Sequence, residues 1–382
     1  MKSRMVPRHY LSQDIFDREQ EKLFRKLWVF AGLRTMVRQP NDFITRKIAG
    51  IPVVIQNFDG ELKAFENVCL HRGARIQSEP TGCRPLVCPY HCWRYDASGA
   101  PSKIPLHDDI YRFPDEELRG MRLREFALRA VGNVLFINLD AQPLPIEDQF
   151  SPEFLDILES SSSCYDTEVM TTTFRTDFNW KLGYENLRDG NHVGFVHSKS
   201  IARHVSFDVV VDDALNAEAS SEIPVDLDRA ARRALLRRFS HGGPEGSFRQ
   251  VRRFDWQGNV ERWGEHDAYF NWLAYPNLHI SSSDGGYSFS IEHHVPVSPG
   301  RTDMEIYWMT AKKRVPYAFS ATVLASLMHG TKLVVGEDIQ IVEEVQAAMH
   351  DGAPIARQGD YEGFNKLVER WYVDIIDGEH DV

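Results

Sequence analysis

The sequence predicts an α+β protein in two parts: an all-β module, then a domain of helices around an antiparallel sheet. Three observations predict it. The apolar periodicity changes from helical to strand-like near residue 42, a Pro- and Ser-rich stretch interrupts the chain at 141–166, and beyond it strand-like and helix-like runs alternate without regular βαβ spacing. The expected parts are therefore 1–41, an N-terminal helical segment packing on the second domain; 42–150, the β module; and 151–382, the α+β domain.

Phe16, Leu23, Phe24 and Leu27 fall at helical spacing within residues 12–28, with Ser12 as N-cap and Asp14 in the first turn. Residues 53–56 and 62–65 flank Asp59-Gly60, a two-residue hairpin signal. Further β signals follow at 86–88, at 93–96 before Ser98-Gly99, and at 134–138 after Gly132-Asn133. In the linker, Pro143, Pro145, Pro152 and the run Ser160 to Ser163 leave one short helix at 152–158. The remainder predicts strands at 168–174, 279–282, 288–295 and 304–309, and helices at 179–191, 227–239, 316–329, 333–349 and 362–375. Arg229, Arg232, Arg233, Arg237 and Arg238 crowd the 227–239 helix; a solvated face is the plain reading, a docking patch for an acidic partner the sharper one.

A formal charge of -11 over 382 residues argues against a nucleic-acid partner, because phosphate contact needs a basic face. No apolar run approaches the roughly 18 residues of a membrane span. The start, Met1-Lys2-Ser3-Arg4, is not followed by the apolar stretch of a signal peptide, so a cytoplasmic protein is expected. The five cysteines lie at 69, 83, 88, 92 and 164, four of them within 24 positions. In that compartment such clustering points to metal binding before disulfides.

Cys69-Leu70-His71, then sixteen residues, then Cys88-Pro89-Tyr90-His91, puts one cysteine and one histidine on each of two loops of the β module. Two thiolates and two imidazoles could hold zinc tetrahedrally, or a [2Fe-2S] cluster with the histidines on one iron and the cysteines on the other. Common zinc fingers pair like with like, Cys with Cys and His with His. The mixed pairing here, followed by Trp93-Arg94-Tyr95-Asp96, resembles the Rieske domain of the ring-hydroxylating oxygenase large subunits. Respiratory Rieske proteins carry an extra, bridged cysteine in each loop; the corresponding positions here look like Ala74 and Tyr90, which implies an oxygenase-type cluster. Cys92 departs from the family, which usually has glycine after the second histidine. Cys83, Cys92 and Cys164 are read as structural or free thiols.

A second constellation runs from Glu185 to His197, with two histidines and two carboxylates in thirteen residues. His192 and His197 are five apart, about 140° around a continuous helix. Two adjacent ligands of an octahedral metal need roughly 90°, so the helix should end or loosen between them, at Gly194. Glu185, Asp189 and His192 fall at i, i+4 and i+7 and are expected to share a face, with Asp189 beside His192 as its partner and not as a ligand. The third ligand is sought where a carboxylate is costly. Asp338 leads the apolar stripe Ile341, Val342, Val345, Met349, and an unpaired buried carboxylate costs several kcal/mol, so Asp338 needs a cation. Glu337, Glu343 and Glu344 fall on the polar side and are expected to be solvated. Two histidines and one carboxylate form the facial triad of non-heme Fe(II) oxygenases.

Asn179-Trp180-Lys181, the Glu185 to His197 segment and Glu337-Asp338 extend the resemblance to the catalytic domain of the same large subunits, and so to nearly the whole chain. The resemblance implies a Rieske [2Fe-2S] domain joined to a helix-grip-like catalytic domain. It implies cluster ligands Cys69, His71, Cys88 and His91, iron ligands His192, His197 and Asp338, and Asp189 as a bridge between His192 and His91 of a neighbouring subunit. A homotrimer follows from that bridge, the closed form of a head-to-tail interface; a small beta subunit is compatible with it. No Gly-x-Gly-x-x-Gly is present, so NAD(P)H is expected to act only through a partner reductase, with or without a ferredoxin. The implied activity is O2-dependent hydroxylation of an aromatic or alkylated small molecule. Monooxygenation, including demethylation, of a non-aromatic substrate is the alternative within the family, and a Rieske electron carrier or a zinc-stabilised binding protein the alternatives outside it. Phe178, Phe195 and parts of 200–290 are expected near the pocket, without being assigned as site residues.

Overall fold

In the computed structural model, which describes residues 2–207, 213–220, 227–316, 318–378, 380 and 382, the chain divides into two compact units. One is Phe24–Leu144; the other joins Met1–Leu23 to Pro145–Val382. Residues 24–41 therefore fold with the β module and not with the N-terminal helical segment, because Val29–Leu33 is a fully buried strand (β1) paired with Val134–Asn138 (β9).

The first unit is built on one antiparallel sheet. Between β1 and β9 in sequence come β2 (Asp42–Ile48), β3 (Ile51–Phe58), β4 (Glu61–Glu66), β5 (Thr81–Cys83), the short pair β6 (Arg94–Tyr95) and β7 (Pro101–Lys103), and β8 (Glu125–Val131). The sheet order is β1-β9-β8-β4-β3-β2-β5. Asp59-Gly60 makes the β3–β4 turn, with positive φ at both residues (52° and 102°), as a two-residue hairpin demands. The expected strand at 86–88 is only an isolated bridge, Val87 with Arg94. The core under the sheet gathers Phe43, Val54, Phe65, Ile76, Trp93 and Tyr95, and it includes both Cys69 and Cys88. Burial of each large side chain there is worth about 1.5–3 kcal/mol, so the loops carrying the cysteines are anchored by the core itself.

The second unit has a seven-stranded antiparallel sheet made of β10 (Met170–Thr176), β11 (Val205–Phe207), β12 (His241–Phe248), β13 (Ala268–Ala274), β14 (Leu278–Ser282), β15 (Ser288–Ser298) and β16 (Arg301–Thr310). Its order is β10-β16-β15-β14-β13-β12-β11. Strands β11, β12 and β13 were not expected from the sequence: β12 contains Gly242, Gly243, Pro244 and Gly246, a composition that reads as loop. The serine run completes a helix, Pro152–Ser162, whose N-cap Ser151 accepts a hydrogen bond from Phe154 N at 3.2 Å. The expected helices at 316–329 and 333–349 are one continuous helix, Ser320–His350. It lies on β16 and β10 and meets the helix Trp180–Asn186, the helix-grip-like arrangement. Trp308 Nε1 of β16 donates to Thr331 Oγ1 at 2.9 Å, and Asn179 N donates to Gln346 Oε1 at 3.0 Å. These two bonds lock the long helix in register on either side of Asp338.

Met1–Leu23 is tied to this unit by a buried carboxylate. Glu19 pairs with Lys181 and Tyr372 and accepts from Trp180 Nε1 at 2.9 Å. Such a fully partnered buried pair fixes geometry, and removing one member typically costs about 3–5 kcal/mol. The helix expected within 12–28 is shorter, Gln13–Glu19 followed by a wider turn at Gln20–Phe24, and a separate short helix, Arg8–Leu11, precedes it. Among the described residues no helix is long and apolar enough to cross a membrane.

Candidate metal centre

The helix Trp180–Asn186 begins at Asn179, whose side chain caps Lys181 N at 3.1 Å, and it stops at Asn186. Residues 187–192 then turn, helped by Asp189 Oδ1 accepting from Asn191 N at 2.9 Å. A single helical turn, Val193–Val196, separates the two histidines. The break therefore precedes His192 and does not fall at Gly194, which sits inside that turn with open space where a Cβ would project. Because the helix ends early, Glu185, Asp189 and His192 do not share a helical face. Glu185 instead accepts from Tyr10 Oη at 2.8 Å, and burial, reinforced by the nearby Glu369, pushes its pKa up to about 8.

The structure brings His192, His197 and Asp338 together, with one ligand atom from each lying within 4.8 Å of the others. Asp338 Oδ1 is 3.0 Å from His197 Nε2 and 3.4 Å from His192 Nε2, and it accepts from Asn186 Nδ2 at 3.0 Å. Two ring nitrogens and a carboxylate oxygen converge on one point, the donor set and spacing that suit a divalent transition metal. Burial alone would raise the Asp338 carboxyl, yet the two histidines hold it down at about 2. Burial would likewise lower His192, but Asp189 and Asp338 raise it to about 9. Asp338 lies deep in the Ser320–His350 helix, so the helix N-terminus does not account for its charge.

The stripe expected to follow Asp338 is not the buried one. Val342 is buried with Val335 and Gln346, whereas Ile341 and Val345 are exposed. The expectation for Glu337 is also corrected: its Oε2 lies 2.8 Å from His197 Nδ1 and accepts from Ser200 Oγ at 2.6 Å. Glu343 Oε1 accepts from Asp177 N at 2.9 Å. Each imidazole thus has a carboxylate behind its second nitrogen, Glu337 for His197 and, at a looser 3.7 Å, Asp189 for His192. Partners of this kind set the tautomer and aim the ligating nitrogen. Glu337→Gln is expected to weaken metal affinity by about 10–100-fold while leaving the fold intact, measured by titration of the metal-free protein.

In the β unit, Cys69 and Cys88 are buried, and Tyr95 Oη sits 3.1 Å from Cys69 Sγ while accepting from Leu70 N at 3.0 Å. Burial raises the Cys69 thiol. His71 Nδ1 and His91 Nδ1 are 3.2 Å apart, and the His71 ring stacks on Trp93 at 5.1 Å. Both cysteines therefore lie at the core side of the paired loops and the two imidazoles lie side by side, the donor set of a cluster with unlike irons. Cys92 adopts φ 57°, a left-handed conformation that glycine takes without strain. Cys83 and Cys92 are exposed.

A cavity of about 1120 Å³ reaches the second site and is lined by His192, His197 and Asp338 together with one face of β12 to β15. Phe178 is core and Phe195 is 77% exposed, so neither walls it; the stretches 208–212 and 221–226 fall outside the described residues.

Comparison with known proteins agrees with this geometry. Residues 27–114 match the Rieske [2Fe-2S] domain, and residues 165–378, more than half of the chain, match the catalytic domain of the ring hydroxylating alpha subunits. The chain belongs to the family of Rieske ring-hydroxylating oxygenase large subunits. It is 32% identical over 209 residues to the glycine betaine monooxygenase oxygenase subunit of Pseudomonas aeruginosa, covering 53% of this chain and 47% of that protein. It is 32% identical over 194 residues to the carnitine monooxygenase oxygenase subunit of Acinetobacter pittii, covering 49% and 51%. The chain thus spans about half the length of the curated relatives it matches. A solved quaternary ammonium Rieske monooxygenase shares the fold at TM-score 0.73 and 20% identity, over 97% of this chain and 95% of that one.

Proposed function

We propose that the chain is the oxygenase component of a Rieske non-heme iron system that hydroxylates an aromatic or alkylated small molecule. The observation that carries the reading is the convergence of His192, His197 and Asp338 on one point of a large cavity, in the same chain as two mixed Cys/His loops. His192, His197 and Asp338 would hold Fe(II), and Cys69, His71, Cys88 and His91 a [2Fe-2S] cluster. Fe(II) supplies the O2 chemistry and the cluster the electrons.

The chain's own residues set the conditions. Glu337 orients His197, and Asn186 holds Asp338 by its ligating oxygen. Asp189 stands behind His192 and is the proposed contact to His91 of a neighbouring subunit in a homotrimer. Electrons come from a separate reductase, directly or through a ferredoxin, and ultimately from NAD(P)H; a cytoplasmic setting and a role in aromatic catabolism fit this scheme. The relatives named as glycine betaine and carnitine monooxygenases favour a second reading, monooxygenation of a non-aromatic substrate.

Metal and acid-labile sulfide analysis, with EPR of the dithionite-reduced protein, tests the proposal. About three irons and two sulfides per chain are expected. Two irons with two sulfides would leave an electron carrier, and zinc without sulfide a binding protein.

A further inference from the structure

The cavity has a mouth, where its lining residues are also exposed, and that mouth is basic. Two segments meet there: residues 198–204, which lead into β11, and 249–254, which leave β12. Val205 pairs with Phe248, and Arg249 N donates to His204 O at 2.8 Å, so the two segments lie side by side. Together they hold Lys199, Arg203, Arg249, Arg252 and Arg253 and no Asp or Glu, in a chain whose 55 acids outnumber its 44 bases. All five cations are exposed, and none forms an ion pair with another described residue. Lys199 and Arg252 line the cavity itself, beside the exposed apolar side chains of Val251, Phe254 and Phe319.

The carboxylates of the lining are met from within the chain. Asp284 accepts from Ser282 Oγ at 3.2 Å, Tyr287 N at 3.0 Å, Ser288 N at 2.9 Å and Ser288 Oγ at 2.7 Å. Glu245 accepts from Asn271 Nδ2 at 2.6 Å and has His241 Nε2 at 3.4 Å, while Glu292 is flanked by His279 Nδ1 at 3.5 Å and His294 Nε2 at 4.0 Å. Asp189 and Asp338 belong to the metal centre. Among the described residues, the buried polar atoms of the lining without a partner are nitrogens of Arg188, His192, His241, His266 and His279, with Asn271 Oδ1 the one oxygen. The charge left over for a ligand is therefore positive, and it stands at the mouth.

We propose that Lys199 and Arg252 hold the carboxylate head of a small organic acid at the cavity mouth, its apolar body reaching inward toward His192, His197 and Asp338. This rests on the reading of the cavity as the oxygenase's substrate site. A cleft lined by one sign of charge focuses its field and gathers ligands of the opposite sign, and ammonium and guanidinium groups both donate charge-assisted hydrogen bonds to a carboxylate. One of each on the lining suits a singly charged head, and Val251, Phe254 and Phe319 give the body apolar contact as it enters. Hydrocarbons gain nothing from the two cations, and organic cations are repelled by them.

The test is calorimetric binding of 3-phenylpropionate, 3-phenylpropanol and 3-phenylpropylamine to the metal-loaded protein at neutral pH and low salt, with acetate as a probe lacking the body. Exposed ion pairs are individually weak, so the two cations together are expected to favour the propionate over the alcohol and the amine by roughly tenfold. That preference should fall to about threefold or less in Arg252→Gln, in Lys199→Gln and in about 1 M salt. Arg229→Gln, which removes the same charge from another exposed position, is expected to keep it. Equal affinity for the three compounds, a preference for the amine, or a full preference in the variant carrying both Lys199→Gln and Arg252→Gln overturns the assignment. So does acetate binding as tightly as the propionate, or an equal loss in Arg229→Gln. Iron and sulfide contents of the same samples decide the oxygenase reading separately: no preference in protein with full iron sinks the carboxylate site alone, and a preference in protein without iron sinks that reading alone.

Discussion

Asp338→Asn is expected to lose the mononuclear iron while keeping the cluster, dropping from about one non-cluster iron per chain to below about a tenth, with two cluster irons and two sulfides retained. The side chain is nearly unchanged in shape, so the helix Ser320–His350 and its ties through Trp308 and Gln346 should persist. What disappears is the negative charge at the point where His192 Nε2 and His197 Nε2 converge at 3.4 and 3.0 Å. Without it, only the two imidazoles remain, and the amide of Asn186, which donates to the carboxylate at 3.0 Å, can go on holding the new side-chain oxygen. O2 consumption with a surrogate reductase should fall by at least about 100-fold. Full iron occupancy in the variant would place the third ligand elsewhere.

In the sequence, a single apolar stripe assigns Asp338 and Glu337 to opposite faces of the helix. Asp338 goes to the buried face because it leads the stripe Ile341, Val342, Val345, Met349, yet of these Ile341 and Val345 are exposed, and Asp338 reaches the site on the face of Val335 and Val342. Glu337 goes to the solvated side by that same stripe, and the shift of the buried face away from Ile341 and Val345 is what moves it inward. With the buried stripe running through Val335 and Val342, Glu337 comes within reach of His197. A carboxylate adjacent to a proposed metal ligand, with a histidine expected nearby, was the available signal. Asp189 was placed beside His192 from helical spacing, yet the helix ends at Asn186 and the approach is made by a turn. The Cys/His loops were readable because the donor pairing itself carries the chemistry. The cavity wall was not, because strand β12 is rich in Gly and strand β13 is interrupted by Asn271 on its cavity face, so neither shows alternation of apolar and polar residues. Side chains that face a ligand are the ones that break the periodicity by which strands are recognised.

Asp189→Asn should separate metal binding from electron delivery. The carboxylate is not one of the three converging groups; it lies 3.7 Å from His192 Nδ1 and turns its other interactions to Asn191 N at 2.9 Å. Burial would raise its pKa, but His192 holds it below the ordinary value, so it stands as an anion beside the ring, 3.7 Å from Nδ1. Asparagine keeps the size and the turn-forming oxygen while removing that charge. Iron and sulfide contents should therefore match the parent protein, while single-turnover oxidation of the reduced cluster slows by about 100-fold or more, the upper range for such supporting residues. The contrast with Glu337→Gln is diagnostic, since that change acts on affinity at His197 and leaves the approach to His192 untouched. If the cluster is reoxidised at the parental rate in Asp189→Asn, the bridge to a neighbouring His91 fails, and Asp189 is reduced to orienting a ligand.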